Sequence, residues 1–434
     1  MKSKAIIGWS ILIIISLIPI LLWYYLGPGP IEFVDYASIT HTLGELAALV
    51  GVTLFAITFI LSTRARFIED KFGGLDKVYT VHGVVGGTAL ILILFHPLLL
   101  VLKFIPDNIK QAAIYLLPSS HWSVNFGIIA LFFFIALIFV TLYTKMRYNT
   151  WKFSHEFLGL VFLAAVLHMF LVRTDGAQDN IFTGYYIFVS IISAIGLGGF
   201  VYSLLLKNRL FKEAVYFIDS IDKKKGVYEI TMTPYHKPIQ YKSGQFVFVR
   251  FYNERLTAES HPFSIASKSN NPKLKIIVKS LGDFTSELDE LHVGDKVAVE
   301  GPYGRFNYER EGNYQVWIAG GIGITPFIGM AEDLKNYPGM KVDLYYSVRD
   351  KDDLIGLSSL KAVEESNKNF RIFTRLSNQD GYLTVDSIYA KSGRFNDKVF
   401  FLCGPQSLKE SLTKKLLSVG VPVDKINVEE FDFR

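Results

Sequence analysis

Apolar positions first run in long blocks and then break into short alternating segments along the chain. Stretches of spanning length fall at about 6 to 26, 41 to 61, 80 to 102, 122 to 144, 155 to 172 and 181 to 206, each near the ~20 residues that cross a hydrocarbon core. This pattern predicts six transmembrane helices. Beyond them, VYEITM, GQFVFVRFY, HPFSIAS, KLKIIVKS and KVAVEG are short strands parted by Gly, Pro, Asn and Lys turns, with one short helix after GDFT, which predicts a small antiparallel β-barrel. From residue 314 the period changes. YQVWIA, KVDLYYSV, NFRIFTRL and KVFFLCG alternate with helical stretches beginning near Pro326, Leu357, Thr384 and Gln406, the pattern of a parallel sheet covered on both faces. The expected domains are therefore 1–206, 207–308 and 309–434.

Composition sharpens this division. Half of the 434 residues are hydrophobic. The formal charge of +5 is not gathered into a basic stripe with interleaved aromatics, so nucleic acid is not an expected partner. The segments connecting the six spans alternate in basicity. MKSK, RARFIEDK, KMRYNTWK and KNRLFK fall on one side and GPGPIEFVDY, KFIPDNIK and RTDGAQDN on the other, which places both termini in the cytoplasm. The first apolar run continues to Leu26 without a small-residue cleavage site and is read as an anchor. Cys403 is the single cysteine, so no internal disulfide, CxxC metal site or CxxCH haem attachment can form, and any haem is held non-covalently.

The third span carries His82 and His96, 14 residues apart, and the fifth carries His155 and His168, 13 apart. At 1.5 Å per residue each pair is separated by roughly 20 Å, one histidine near each membrane face. The two spans run in the same direction, so His82 can meet His155 on the inner side and His96 can meet His168 on the outer side. One such histidine is readily a packing residue. Four, paired by depth, point to function, because ionisable groups in lipid are costly. Haem fits: an iron with two axial imidazoles is a closed electron carrier, and two of them bridge a barrier too wide for one hop. Gly83, Gly86 and Gly87 on one helix, with Gly159, Ala164 and Ala165 on the other, would let a macrocycle approach, and Phe162 lies midway along the fifth span. The spacing of 13 leaves His155 and His168 about 140° from a shared helix face, so a local twist or bend is required.

In the barrel region, HPFS (His261, Pro262, Phe263, Ser264) and GDFT lie about twenty residues apart, with Gly282 and Thr285 opening a short helix whose free backbone donors suit a diphosphate. Further on, YQVWIAGGIGITPFIGM reads as strand, glycine turn and helix. Gly320, Gly321 and Gly323 allow a nucleotide phosphate to approach, and Pro326 sits where a first-turn N–H is spare. FLCGP ends another strand at Cys403, whose thiol either abuts a nicotinamide ring or fills a small buried space.

These motifs, in this order, resemble the NADPH oxidase and ferric reductase superfamily, with the bacterial, regulator-free NADPH oxidases nearest. The resemblance covers nearly the whole chain and rests on the paired histidines, HPFS, GDFT, GPYG, GGIGITP, CGP and an aromatic near the C-terminus. It implies a ferric reductase-like six-helix bundle with a cytosolic ferredoxin-reductase-type module: an antiparallel FAD barrel and an α/β NADPH domain. It further implies haem ligation by His82, His96, His155 and His168, and flavin contacts from the HPFS residues. Gly282, Phe284 and Thr285 fall at the FAD, with Lys279 nearby. Gly320, Gly321, Gly323, Thr325 and Pro326 match the NADPH loop, and Cys403, Gly404 and Pro405 match the segment beside the nicotinamide. Phe431 resembles the terminal aromatic that stacks on the flavin, although Asp432, Phe433 and Arg434 follow it. Arg349 and Arg375 are candidates for the 2′-phosphate of NADPH, with NADH left open.

The resemblance implies electron transfer from cytosolic NADPH through FAD and two b-type haems to an external acceptor at the plasma membrane, by a protein active without an obligatory regulatory subunit. Short outer loops without a chelate site favour dioxygen, giving superoxide, over a ferric chelate. A membrane receptor or transporter with a nucleotide-sensing module is the rival from another class.

Overall fold

A computed structural model describes residues 2–26, 35–105, 107–175, 184–206, 213–269, 271–310 and 312–430. The chain divides into two compact units, Met1–Phe211 and Lys212–Arg434.

The first unit is helical: α1 (Lys2–Leu26), α2 (Tyr36–Ser62), α3 (Arg66–Phe72), α4 (Leu75–Leu102), α5 (Ile109–Ile114), α6 (Trp122–Tyr143), α7 (Tyr148–Glu156), α8 (Leu158–Asp175) and α9 (Gly184–Val201). Six helical segments among the described residues are long and apolar enough to cross a membrane, with α7 and α8 together forming the fifth. Much of their apolar surface is exposed, for example Ile14, Phe132 and Leu163. Water would penalise such a surface, whereas lipid tails do not. Helix α2 starts at a capping box, in which Asp35 Oδ1 accepts from the Ser38 amide at 2.7 Å. It then packs along α4 and α9. Small residues allow the approach: a Cβ on Gly196 would stand 2.9 Å from Cα of Ala56, and one on Gly51 3.0 Å from Ile93.

The second unit opens with six strands, β1 (Ala214–Lys224), β2 (Val227–Pro234), β3 (Phe246–Tyr252), β4 (His261–Ser264), β5 (Leu274–Lys279) and β6 (Lys296–Tyr303), paired in the order β4-β3-β6-β1-β2-β5. All these pairings are antiparallel. An Ile265–Ile276 bridge joins the two edges and closes the barrel. Its inward residues, among them Ile230, Val249, Phe251 and Ile276, are fully buried, the alternation expected when one face of each strand fills a small barrel. The remainder is a five-stranded parallel sheet in the order β11-β10-β7-β8-β9, made of β7 (Tyr314–Gly320), β8 (Lys341–Val348), β9 (Phe370–Leu376), β10 (Val399–Cys403) and β11 (Ile426–Val428). Two buried clusters, one around Trp317, Phe327 and Phe370 and one around Phe400, Leu412 and Leu416, cover its opposite faces.

Candidate functional site

The four span histidines meet in the predicted pairs. The ring centres of His82 and His155 are 6.2 Å apart, and those of His96 and His168 are 6.4 Å apart. With metal–nitrogen bonds of roughly 2 Å, two imidazoles on opposite sides of one ion would hold their ring centres roughly 6 Å apart. The hydrogen bonds select the matching tautomer. His82 Nδ1 lies 3.1 Å from Thr58 O, His96 Nδ1 2.9 Å from Gly44 O, and His168 Nδ1 2.7 Å from Ser123 O. A carbonyl only accepts, so each Nδ1 carries the proton and each Nε2 keeps a lone pair, the arrangement of a metal-binding histidine. His155 reaches the same state differently. Its Nδ1 is 3.3 Å from Thr141 Oγ1, whose own proton goes to Leu137 O at 2.7 Å. The donor set therefore fits two bis-imidazole sites.

The glycines divide into two kinds. A Cβ on Gly83 or Gly87 would meet nothing within 4 Å, and on Gly86 only the Thr58 methyl at 3.7 Å, so no neighbouring helix packs closely on α4 at these three positions. Gly159 does not share this role. Its Cβ would stand 2.2 Å from the Phe200 ring, so the room expected there for a macrocycle is filled by an aromatic from α9. Phe162 is fully buried, with Phe55 and Phe59 at 5.0 and 5.1 Å between ring centres, as one member of an aromatic cluster.

The spacing of 13 is met by a break in the helix. His155 belongs to α7 and His168 to α8, and the chain is interrupted at Phe157. Around that residue the bonds tighten to the i→i+3 kind, Phe157 N to Ser154 O at 3.3 Å and Leu160 N to Phe157 O at 3.0 Å. Tighter turns add rotation per residue, which moves His155 toward the face that His168 occupies.

In the barrel, HPFS and GDFT come together directly. The His261 ring stacks on Phe284 at 4.0 Å and 20°, and its Nε2 pairs with Glu259 Oε2 at 2.7 Å. Pro262, Phe263 and Ser264 continue β4 and are half-buried. The GDFT turn is largely self-satisfied, because Thr285 Oγ1 accepts from both Leu281 N and Gly282 N at 2.9 Å. Those two amides are thus not spare donors for a diphosphate. Lys279 reaches Asp353 Oδ1 at 3.2 Å, linking the barrel to the parallel-sheet domain.

The parallel sheet has its switch point between β7 and β10, since the chain proceeds from β7 to β8 and β9 on one side and returns to β10 and β11 on the other. Ligands of such sheets bind at the carboxyl ends of the strands flanking that point. The glycine loop after β7 and the Cys403-Gly404-Pro405 segment after β10 are brought together there. A Cβ on Gly323 would stand 2.4 Å from Cys403 O, and one on Gly404 2.9 Å from Gly320 Cα. Gly320 and Gly323 thus serve the joining of the two loops. Gly321, with φ 54° and nothing within 4 Å of a Cβ, is the loop glycine that faces open space. Thr325 is buried and gives its hydroxyl proton to Ile322 O at 2.7 Å, and Pro326 occupies the first turn of the helix Thr325–Asp333. Cys403 is buried, and desolvation pushes its thiol above the ordinary range. Arg349 is exposed. Arg375 ties down a loop, its Nε donating to Gly381 O at 2.9 Å and its Nη2 to Asp380 O. Phe431, Asp432, Phe433 and Arg434 lie outside the described residues, as does 207–212 at the expected domain boundary. The strand leading to Phe431, β11, runs parallel to β10 with Val428 opposite Leu402.

Sequence reasoning missed the groups that hold the histidines: the carbonyls of Gly44, Thr58 and Ser123, the Thr141 hydroxyl, and Trp151, which stacks on His155 at 5.4 Å and 12°. The one available signal was Trp151, which stands four residues before His155 and so shares its helix face.

Three domain models match the chain in order: the ferric reductase like transmembrane component over residues 47–166, the FAD-binding domain over 219–307 and the oxidoreductase NAD-binding domain over 317–414. The chain thus has the NADPH oxidase and ferric reductase architecture, a multi-pass membrane domain joined to FAD- and NAD(P)H-binding reductase domains. Among curated proteins it is similar to Flavohemoprotein A of Dictyostelium discoideum, 32% identical over 143 residues, 32% of this chain and 36% of that protein. It is also similar to NADH-cytochrome b5 reductase 1 of Kluyveromyces lactis, 27% identical over 177 residues, 37% of this chain and 63% of that protein. The chain therefore spans less than two thirds of either relative. Among solved structures, the flavohemoglobin of Malassezia yamatoensis with bound FAD and heme matches 92% of this chain and 99% of its own, with a TM-score of 0.51 and 14% identity, a likeness of fold alone.

Proposed function

We propose that this protein carries electrons from cytosolic NADPH, by way of FAD and two b-type haems, across the plasma membrane to dioxygen, releasing superoxide. The observation that supports the haem path is the pair of facing imidazoles at each depth, 6.2 and 6.4 Å between ring centres, each with its Nδ1 proton committed to an acceptor. When bound, FAD would supply the exchange between two-electron and one-electron chemistry, and haem held by the four histidines would supply one-electron transfer.

The chain supplies binding and orientation. By the positive-inside asymmetry, His82 and His155 form the inner site and His96 and His168 the outer one, with both termini cytoplasmic. Gly83 and Gly87 leave a macrocycle room against α4. His261, held by Glu259 and Phe284, shapes the flavin site, and Gly321 admits the nucleotide phosphates at the switch point. Cys403, buried and un-ionised, packs beside the nicotinamide as a small neutral group. No regulatory subunit is required.

The ferric reductase description of the matched transmembrane model favours a second reading, in which a ferric chelate takes the electrons. Purified protein given NADPH and FAD in air should reduce cytochrome c in a superoxide-dismutase-sensitive manner. Rapid ferric chelate reduction under argon with no dismutase-sensitive signal in air would establish the second reading instead. Haem and FAD content of the same preparation tests the path, and a haem-free active protein would overturn it.

A further inference from the structure

The four imidazoles are not held alike. Three donate Nδ1–H to backbone carbonyls, an acceptor that substitution leaves in place. His155 alone relies on a side chain, Thr141 Oγ1 at 3.3 Å. The same residue is tied in at a second point: Trp151 Nε1 donates to Thr141 O at 3.1 Å while its indole stacks on the His155 ring at 12°. Thr141, Trp151 and His155 thus form a three-cornered clamp between α6 and α7. The clamp lies just before the break at Phe157, where no continuous helix fixes the ring's direction.

We propose that Thr141 is a positioning residue for His155 that sets the reduction potential of the His82–His155 site apart from that of the His96–His168 site. This rests on the haem reading above. The physical reason is the strength of the acceptor. An imidazole whose Nδ1–H is held by a good acceptor becomes a more basic ligand and favours the oxidised metal. A hydroxyl at 3.3 Å is a weaker acceptor than a carbonyl at 2.7–3.1 Å, so His155 is the least basic of the four ligands. Removing that acceptor weakens the ligand further and should raise the potential of its site alone. A role in helix packing alone would not single out one potential.

The experiment is a spectroelectrochemical titration of the full chain in detergent, with haem counted by pyridine haemochrome, on wild type, Thr141→Val and Thr141→Ser. Two haems in wild type are the precondition, and their absence would defeat the haem reading rather than this inference. In Thr141→Val one midpoint should move upward while the other stays. Loss of one haem in that variant also supports the proposal, provided the hydroxyl of Thr141→Ser restores both the haem and its potential. Two wild-type midpoints in Thr141→Val, equal shifts of both, or a Thr141→Ser protein that behaves like Thr141→Val would overturn it.

Discussion

The imidazole of His168 occupies the space that a side chain on Gly127 would need. A Cβ there would stand 2.7 Å from Cε1 and 2.8 Å from Nδ1 of the ring. The same ring gives its Nδ1 proton to Ser123 O, one turn earlier on α6. The glycine and the carbonyl together define where His168 lies relative to His96. Both belong to the helix that faces α8, not to either histidine-bearing helix.

Gly127→Ala should therefore strike one site and spare the other. Overpacking at such a contact costs about 1–3 kcal/mol, and moving the ring is its simplest relief. Haemochrome assay is expected to find roughly one haem per chain in place of two, with reduced-minus-oxidised bands of the His82–His155 site retained. Gly198→Ala, whose Cβ meets nothing within 4 Å, is the control and should keep both haems. Full occupancy with unchanged spectra in Gly127→Ala would contradict the contact.

Which parts of this site were legible in the sequence follows from what each part is made of. The histidines stood out because an ionisable group in a long apolar run has few ordinary explanations. Their acceptors did not, because every residue carries a carbonyl and only packing decides which of them, Thr58, Gly44 or Ser123, meets a ring. The break at Phe157 has no proline to announce it, and Gly159, two residues on, is no stronger a signal than the three glycines that α4 carries without a break. The spacing of 13 required a distortion but could not place it. Gly159 looked equivalent to Gly83 in sequence, yet the Phe200 ring at the C-terminal end of α9 fills its space. In the reductase half, the alternating strands and the strand-turn-helix signature marked barrel and parallel sheet well, because each period reports one buried face. The separate duties of Gly320, Gly321 and Gly323 depend on where β10 lies, a long-range pairing that no local pattern records.

Gly323→Ala tests those duties. With a Cβ 2.4 Å from Cys403 O and 2.7 Å from Gly404 N, backbone would have to move. We expect a loss of about 1–3 kcal/mol in the stability of the reductase half, read by denaturant melts, together with weaker coenzyme binding. Gly321→Ala has open space but a positive φ of 54°. It should cost about 1 kcal/mol, from strain alone. Its larger effect should be on NADPH affinity. Equal melts and opposite binding effects would reverse the assignment of the two glycines.

Cys403 makes a pH-dependent prediction. Burial holds its native thiol protonated above the ordinary range. In the unfolded chain it ionises near pH 8.5. Above that pH the unfolded state binds fewer protons than the native one, so stability falls as pH rises, by up to about 1.4 kcal/mol per pH unit from this group. Below pH 8 the effect is absent. Cys403→Ala lacks this slope, so the stability gap between wild type and variant should narrow steadily from pH 8 to 10. A gap that is constant with pH would show that the thiol is accessible enough to ionise in the native state.

The two arginines proposed for the 2′-phosphate now separate. Arg375 already spends its guanidinium on the carbonyls of Asp380 and Gly381, whereas Arg349, at the end of β8 beside the switch-point strand, is exposed. A charge-assisted hydrogen bond contributes about 1.5–3 kcal/mol. Arg349→Ala should then raise KM for NADPH roughly 10- to 100-fold and leave KM for NADH unchanged, a difference that steady-state kinetics with both coenzymes reads directly. Arg375→Ala should loosen the loop it ties and weaken both coenzymes alike. If NADPH preference instead disappears only in Arg375→Ala, that guanidinium leaves its carbonyls when coenzyme binds, and the phosphate site lies at the end of β9.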